Sequence, residues 1–349
     1  MPSTQRCRSF VASGMNPTVA RVAADPQVAG DIALATARLE LRNVEPAFVG
    51  GRGLVCRATQ RATGETVALK VPAYPRQPDL TPGHLRASIA KEADALKAIE
   101  SPHLPRLRGA HCSGRYLLRD YVEGPSVTDL AAASGGGADL AYRVLAAAAD
   151  LFPKAHDHVR GPHALRDFKP RNLHVDCVSG RVVLVDMGGV RSLAAMAGMG
   201  RADPMRLGSG AWCHWAPEQL LGDRGRPGLG VDFFALGTTL CFCLLAQYPY
   251  SNSEADGEAA RYKYREEHAL LALRLSDTAH GSKRLRSFVC ACAHPEAEER
   301  PGLDELEAVA LEEGAASQRV HRSGALRKAG SVGWPRPGES CTESPCASV

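Results

Sequence analysis

The sequence predicts an α+β chain of two unequal lobes: a small, mostly β part over residues 38–122 and a larger, mostly α part over residues 123–313. Short apolar and β-branched runs at 44–49, 54–59 and 67–70 crowd the first part, with glycine-containing turns between them. Residues 84–100 and 139–159 instead carry apolar side chains at three- and four-residue spacing, the period of a helix. With 349 residues, the chain can bury one large core or two small ones.

Composition narrows the function. A hydrophobic content of 44% and a charged content of 23% suit a soluble globular protein. A net charge of +4 is too small to argue for a nucleic-acid partner. The longest apolar run, 233–246, is too short to span a bilayer and contains Gly237, Thr238 and Thr239, so no membrane span is expected. No apolar signal-peptide core lies near Met1, and Pro2 rules out a myristoylation signal. The eleven cysteines are odd in number, which argues against a disulfide framework and for a reducing, cytoplasmic setting. Cys241-Phe242-Cys243 and Cys290-Ala291-Cys292 are poor chelators on helices, where residues two apart point to different faces. Oligomeric state is not legible.

Taken in order, residues 1–37 have no acid before Asp25, carry Arg6, Arg8 and Arg21, and are expected to be a flexible head. The strands at 44–49 and 54–59 flank Phe48-Val49-Gly50-Gly51-Arg52-Gly53-Leu54-Val55. Glycines there let backbone amides approach phosphate oxygens without a Cβ clash. Gly64-Glu65-Thr66 reads as a turn before the strand Val67-Ala68-Leu69-Lys70, and a lysine after three apolar strand residues is unusual as a solvated end. The helix at 84–100 places Leu85, Ile89, Ala93, Leu96 and Ile99 on one side. Tyr116-Leu117-Leu118 reads as a strand, residues 119–124 as the connector between the lobes, and 134–137 as a flexible loop. The helix at 139–159 has Leu140, Val144, Leu145, Ala148 and Leu151 on one face; Pro153 predicts a kink or early stop. Residues 314–349, rich in Ser, Gly, Pro and Arg, are expected to be a disordered tail.

The chemistry concentrates in two segments. Leu165-Arg166-Asp167-Phe168-Lys169-Pro170-Arg171-Asn172 holds an acid, a base two places on and an amide five places on. After the apolar run 182–185 comes Asp186-Met187-Gly188. Phosphoryl transfer needs a carboxylate at the attacking hydroxyl, a cation on the moving phosphate and oxygen ligands for Mg²⁺. These two segments carry all of them.

In these motifs the chain resembles the protein kinase family over about residues 38–313. Asp167, Lys169 and Asn172 match the family's His-Arg-Asp-x-Lys-x-x-Asn loop, with Leu165 in place of the His. Asp186-Met187-Gly188 matches its Asp-Phe-Gly. Gly50, Gly53 and Val55 match its glycine loop, with Phe48 at the first glycine, and Val67-Ala68-Leu69-Lys70 matches its Val-Ala-Ile-Lys. Glu92 falls where a helix glutamate pairs with that lysine, ahead of Ser101-Pro102-His103-Leu104, which is similar to the family's His-Pro-Asn-Ile turn. Trp215-Ala216-Pro217-Glu218 contains its Ala-Pro-Glu, Arg300 is the expected partner of Glu218, and Asp232 matches the aspartate that braces the catalytic loop, unless it only opens a helix.

The resemblance implies a bilobal protein-kinase-like fold and Mg²⁺-ATP-dependent phosphoryl transfer to a protein substrate. It implies that Asp167 accepts the hydroxyl proton or orients the hydroxyl, and that Lys169 neutralises the γ-phosphate. Asn172 and Asp186 would hold Mg²⁺, and Lys70, braced by Glu92, would fix the α- and β-phosphates. Val55 and Ala68 would cap the adenine, the backbone of Asp120 and Val122 would read it, and His174 would form its floor where a Leu is usual. Protonation of His174 is expected to weaken nucleotide binding below about pH 6.5. Arg119 falls at the gatekeeper position, usually apolar, and is expected to snorkel outwards. Leu165 and Met187 are expected to keep the family's apolar stack. Ala211 replaces the platform Thr, and Ser209 is a candidate phosphosite that Arg166 could pair. Lys169 favours serine/threonine specificity. Two other readings stay open, a pseudokinase scaffold and a small-molecule phosphotransferase of related fold; the Ala-Pro-Glu segment and its Arg weigh against the second.

Overall fold

The computed structural model describes residues 16–50, 53–74, 81–197, 214–220, 228–250 and 257–324, with backbone alone at 197, 220, 257–262 and 315–324. The expectations for residues 1–15, for Ser209 and Ala211, and for residues 325–349 lie outside the described residues.

The head is not flexible where it is described. Residues 17–37, expected to be loose, form α1 (Pro17–Ala23) and most of α2 (Pro26–Arg38). Each helix opens on a capping residue followed by proline. Asn16 accepts from Thr18 N–H at 2.9 Å, and Asp25 from Gln27 N–H at 2.9 Å. A side-chain oxygen thus satisfies an orphan amide, and the proline supplies a φ already suited to the first turn. Val19, Val22, Val28 and Ala35 are buried against the sheet, which holds both helices down.

That sheet contains β1 (Leu41–Val49), β2 (Gly53–Gln60), β3 (Thr66–Pro72), β4 (Leu107–Ala110) and β5 (Leu117–Asp120), in the order β1-β2-β3-β5-β4. Side chains alternate across it. Val67, Leu69 and Val71 of β3 join the apolar cluster under α1 and α2, so Ala68 and Lys70 face the other way, into the cleft. The register sets Lys70 opposite Val55 and Leu117, and Ala68 opposite Arg119. Between β3 and β4 runs α3 (Pro82–Ala98), capped by Thr81 and ended before Pro102.

The larger lobe is mostly helical. It comprises α4 (Val127–Ser134), α5 (Ala138–His156), the short strands β6 (His163–Ala164), β7 (Leu173–Val175), β8 (Val182–Leu184) and β9 (Arg191–Ser192), α6 (Leu193–Ala197), α7 (Pro217–Leu220), α8 (Gly230–Leu245), α9 (Gly257–Asp277), α10 (Lys283–Cys292) and α11 (Leu303–Gly324). The apolar α8 is buried along its length at the centre of the lobe. Pro153 does not stop α5, which continues to His156. Packing outweighs the lost donor there: Phe152 and His156 are buried, and their rings stack at 5.3 Å. Part of the stretch expected to be a disordered tail is helical. Residues 314–324 are helical backbone in α11, whose Leu306 and Val309 are fully buried. No helix of the described residues is long and apolar enough to cross a membrane.

Candidate active site

Lys70 extends from β3 into the cleft. Its Nζ donates to Glu92 Oε2 of α3 at 2.6 Å and to Asp186 Oδ1 at 3.0 Å. Lys70 and Glu92 are both buried, at 5% and 1% exposure. Burial pulls the ammonium down, but the carboxylates of Asp186 and Glu92 outweigh it and leave its pKa above the ordinary lysine value. Lys70 is therefore a fixed cation. Gly53 makes room for its stem, since a Cβ there would sit 2.9 Å from the Val71 carbonyl oxygen and 3.2 Å from Lys70 Cε.

Across the cleft, Asp167 lies beside Lys169, Nζ to Oδ1 at 2.6 Å. Asn172 donates from Nδ2 to Asp167 Oδ2 at 2.8 Å and to its carbonyl at 3.1 Å. Asp186 follows β8 directly, and Val185 N–H donates to the Asn172 carbonyl at 2.8 Å, which ties the two motifs together. Gly188 N–H donates to Asp186 Oδ1 at 2.9 Å. With its nitrogen committed to Asp167, Asn172 would offer a metal its amide oxygen. The Asp186 side chain is 38% exposed, and its carboxylate with the Asn172 amide oxygen would make a hard oxygen donor set of the kind that fits Mg²⁺.

The loop carrying Asp167 is pinned from beneath. Asp232 of α8, fully buried, accepts from Leu165 N–H at 2.8 Å and from Arg166 N–H at 2.7 Å. Its helix has no side-chain cap, so the carboxylate serves the loop rather than the helix end. His156 Nε2 bonds the same carboxylate at 2.8 Å. Arg166 is held at φ 65°, a left-handed conformation that costs a non-glycine residue roughly 1–3 kcal/mol and needs such anchoring. Thr239 Oγ1 adds a bond to the Phe168 carbonyl at 3.1 Å. Leu165 and Met187 are both buried in the same apolar core.

Among the residues expected to surround a base, two expectations need correcting. Val55 stands opposite Lys70 in the β2–β3 register, and His174 Nδ1 lies 3.1 Å from the Gly124 carbonyl. Burial pushes the His174 pKa below its usual value, so protonation would begin lower than the pH 6.5 expected. Arg119 does not snorkel. It is 5% exposed, and its Nη1 reaches the Asp120 carbonyl at 3.4 Å. Burial lowers its pKa, while Glu92 and Asp186 pull the other way. Arg119 pairs with Ala68, on the sheet face that carries Lys70, where it is enclosed near Glu92 of α3 and Asp186. Asp120 ends β5, so the connector expected over 119–124 begins at Tyr121 and includes Val122; the Asp120 carboxylate accepts from Arg108 Nε at 2.5 Å. Gly50 N–H bonds the Gly53 carbonyl at 2.9 Å; the loop tip, Gly51 and Arg52, lies outside the described residues.

Below the site, Arg300 and Glu218 form a buried two-pronged pair, Nη1 to Oε1 at 2.6 Å and Nη2 to Oε2 at 2.9 Å. The structure also adds residues that sequence spacing did not suggest. His156 braces Asp232, and a lone histidine ending an apolar helix gave no signal of it. Gly189 packs so tightly that a Cβ would lie 2.8 Å from the Leu165 carbonyl oxygen and 2.9 Å from Asp167 Cβ. The doubled glycine after Asp186-Met187 was its signal.

The sequence profile described as the protein kinase domain matches residues 49–310. Among curated proteins, the chain is 31% identical over 218 residues to the putative cyclin-dependent kinase F-2 of Oryza sativa subsp. japonica, covering 57% of this chain and 58% of that one. It is 31% identical over 214 residues to CBL-interacting protein kinase 20 of the same plant, covering 57% of this chain and 43% of that one. The matches thus span about half the length of these relatives. Among solved structures, the Rad53 kinase domain and SCD2 superposes with a TM-score of 0.51 at 18% identity, covering 75% of this chain and 85% of that one. Sequence, fold and site geometry agree, and the chain belongs to the eukaryotic-type protein kinase family.

Proposed function

We propose that the protein is an active serine/threonine protein kinase that transfers the γ-phosphate of Mg²⁺-ATP to a protein hydroxyl. One observation carries this: Lys70, Glu92 and Asp186 form one ionic cluster, at 2.6 and 3.0 Å, that bridges the cleft to the side carrying Asp167, Lys169 and Asn172. Lys70, held by Glu92, fixes the α- and β-phosphates. Asp167 orients the attacking hydroxyl and takes its proton, and Lys169 beside it meets charge on the moving phosphoryl group. Asn172 and Asp186 would hold the metal, which when bound supplies charge neutralisation on the phosphate oxygens. Positioning and fixed charge do most of the work in such a site. Serine/threonine specificity rests on Lys169, and a cytoplasmic setting on the odd cysteine count.

A pseudokinase scaffold is the second reading, favoured by Phe48 at the glycine loop, His174 under the base and the buried Arg119. Purified protein with Mg²⁺ and labelled ATP, with and without a generic basic substrate, separates the two. Label on protein in the wild type and not in Asp186→Ala supports the kinase; nucleotide binding without transfer supports the scaffold.

A further inference from the structure

Helices α1 and α2 stand outside the cleft, yet a polar chain runs from buried Asp31 of α2 to the first turns of α3. Asp31, midway along α2, is an acid only 1% exposed. Its Oδ1 accepts from Arg115 Nε at 2.5 Å, and its Oδ2 from the Tyr74 hydroxyl at 3.2 Å. That hydroxyl accepts in turn from Arg86 Nε at 2.9 Å, and the Arg86 guanidinium lies 5.8 Å from the centre of the Tyr74 ring. Arg86 belongs to α3, the helix that carries Glu92. Its neighbour Leu85 is buried in the same apolar cluster as Val28 and Ala35 of α2. The turn before β5 presses on the same spot: a Cβ on Gly114 would sit 1.9 Å from the Arg86 carbonyl oxygen. The start of α3 is therefore gripped by α2 through Asp31 and Tyr74, and by the turn that also supplies Arg115. A carboxylate buried this deeply is costly to strand, so the links hold or fail together.

We infer that α2, acting through Asp31, Tyr74 and Arg86, is a built-in brace that holds α3 where Glu92 meets Lys70. These three are positioning residues, and their effect on turnover rests on the kinase function proposed above.

Tyr74→Phe deletes the hydroxyl and keeps the ring against Arg86. In the full-length protein, Tyr74→Phe and Asp31→Asn should each speed hydrogen exchange of the α3 amides about tenfold, with α8 unchanged. They should lower kcat for phosphoryl transfer more than they alter KM for the protein substrate. In a Glu92→Gln background they should cost no further activity, because the brace acts through Glu92. Unchanged exchange in α3 overturns the brace, and so does an equal loss of activity in both backgrounds. Should Asp31→Asn fail to fold, Tyr74→Phe still decides. The exchange readout needs no turnover: an inactive wild type whose α3 loosens in Tyr74→Phe would sink the kinase proposal and leave the brace standing.

Discussion

Arg119 and Glu92 attract each other inside the protein while each keeps one buried polar atom, Nε and Oε1, without a hydrogen-bond partner among the described residues. Glu92 already has its cation in Lys70, at 2.6 Å. Arg119 is thus a second charge carried out of water for little bonding in return. Replacing a buried ion by an apolar side chain of similar volume is often neutral or stabilising. Arg119→Met is therefore expected to raise stability by about 1–2 kcal/mol in urea unfolding. A loss of stability would mean that Glu92 needs both cations.

Gly189 sets the distance between the two halves of the site. A Cβ there meets the Leu165 carbonyl oxygen and Asp167 Cβ, neither of which can swing aside as the end of a flexible side chain would. Asp232 holds that loop from below, so it cannot retreat either. Gly189→Ala should displace Asp167 and lower kcat about a hundredfold, the usual cost of a misplaced reacting group, with a smaller change in KM for ATP. Steady-state kinetics on the folded variant check this. A kcat within a few-fold of wild type would show that the loop has slack.

The Glu218–Arg300 pair should be intolerant of a merely conservative change. Arg300 also donates to the carbonyls of His294, Gly230 and Pro295, and its guanidinium sits 5.0 Å from the centre of the Phe234 ring. A lysine keeps the charge but neither the planar fork nor the stacking. Arg300→Lys should cost roughly 3 kcal/mol in urea unfolding, approaching the 3–5 kcal/mol expected when a buried partner is removed outright. A cost below about 1 kcal/mol would show the fork to be dispensable.

The cluster around Lys70 was legible in the sequence because its chemistry is set locally. Asp167, Lys169 and Asn172 sit on one short loop, and Asp186 follows a strand bonded to it. Glu92 needed only a helical period and the turn after it. What was missed depended on burial between distant segments. Arg119 points off the sheet face that carries Lys70, and it is buried by α3 and the Asp186 segment, which its own sequence neighbours do not reveal. Pro153 suggested a helix end, but Phe152 and His156 pack too well for the chain to leave. The head was a different failure. Asn16-Pro17 and Asp25-Pro26 are cap-then-proline signals, set among small and basic residues that suggest a loose chain.

His214 should give the protein an acid limit that one substitution removes. The ring is 5% exposed, bonded through Nδ1 to Thr238 Oγ1 at 3.0 Å and set edge-on to Tyr248 at 4.8 Å. Burial, with the Lys169 charge acting in the same direction, pulls its pKa down from 6.5 to about 3. The unfolded chain then binds a proton below about pH 6.5 that the folded chain refuses. Stability from this residue is complete above that pH and falls by up to about 1.4 kcal/mol per unit as the pH drops towards the folded value. His174, also pushed down by burial, adds a slope of the same sign. His214→Asn keeps a donor for Thr238 and has no proton to take up. Urea unfolding between pH 7 and 4 should give a flatter profile for the variant, the two curves converging as the pH falls. Parallel curves would mean that His214 is protonated in the folded protein after all.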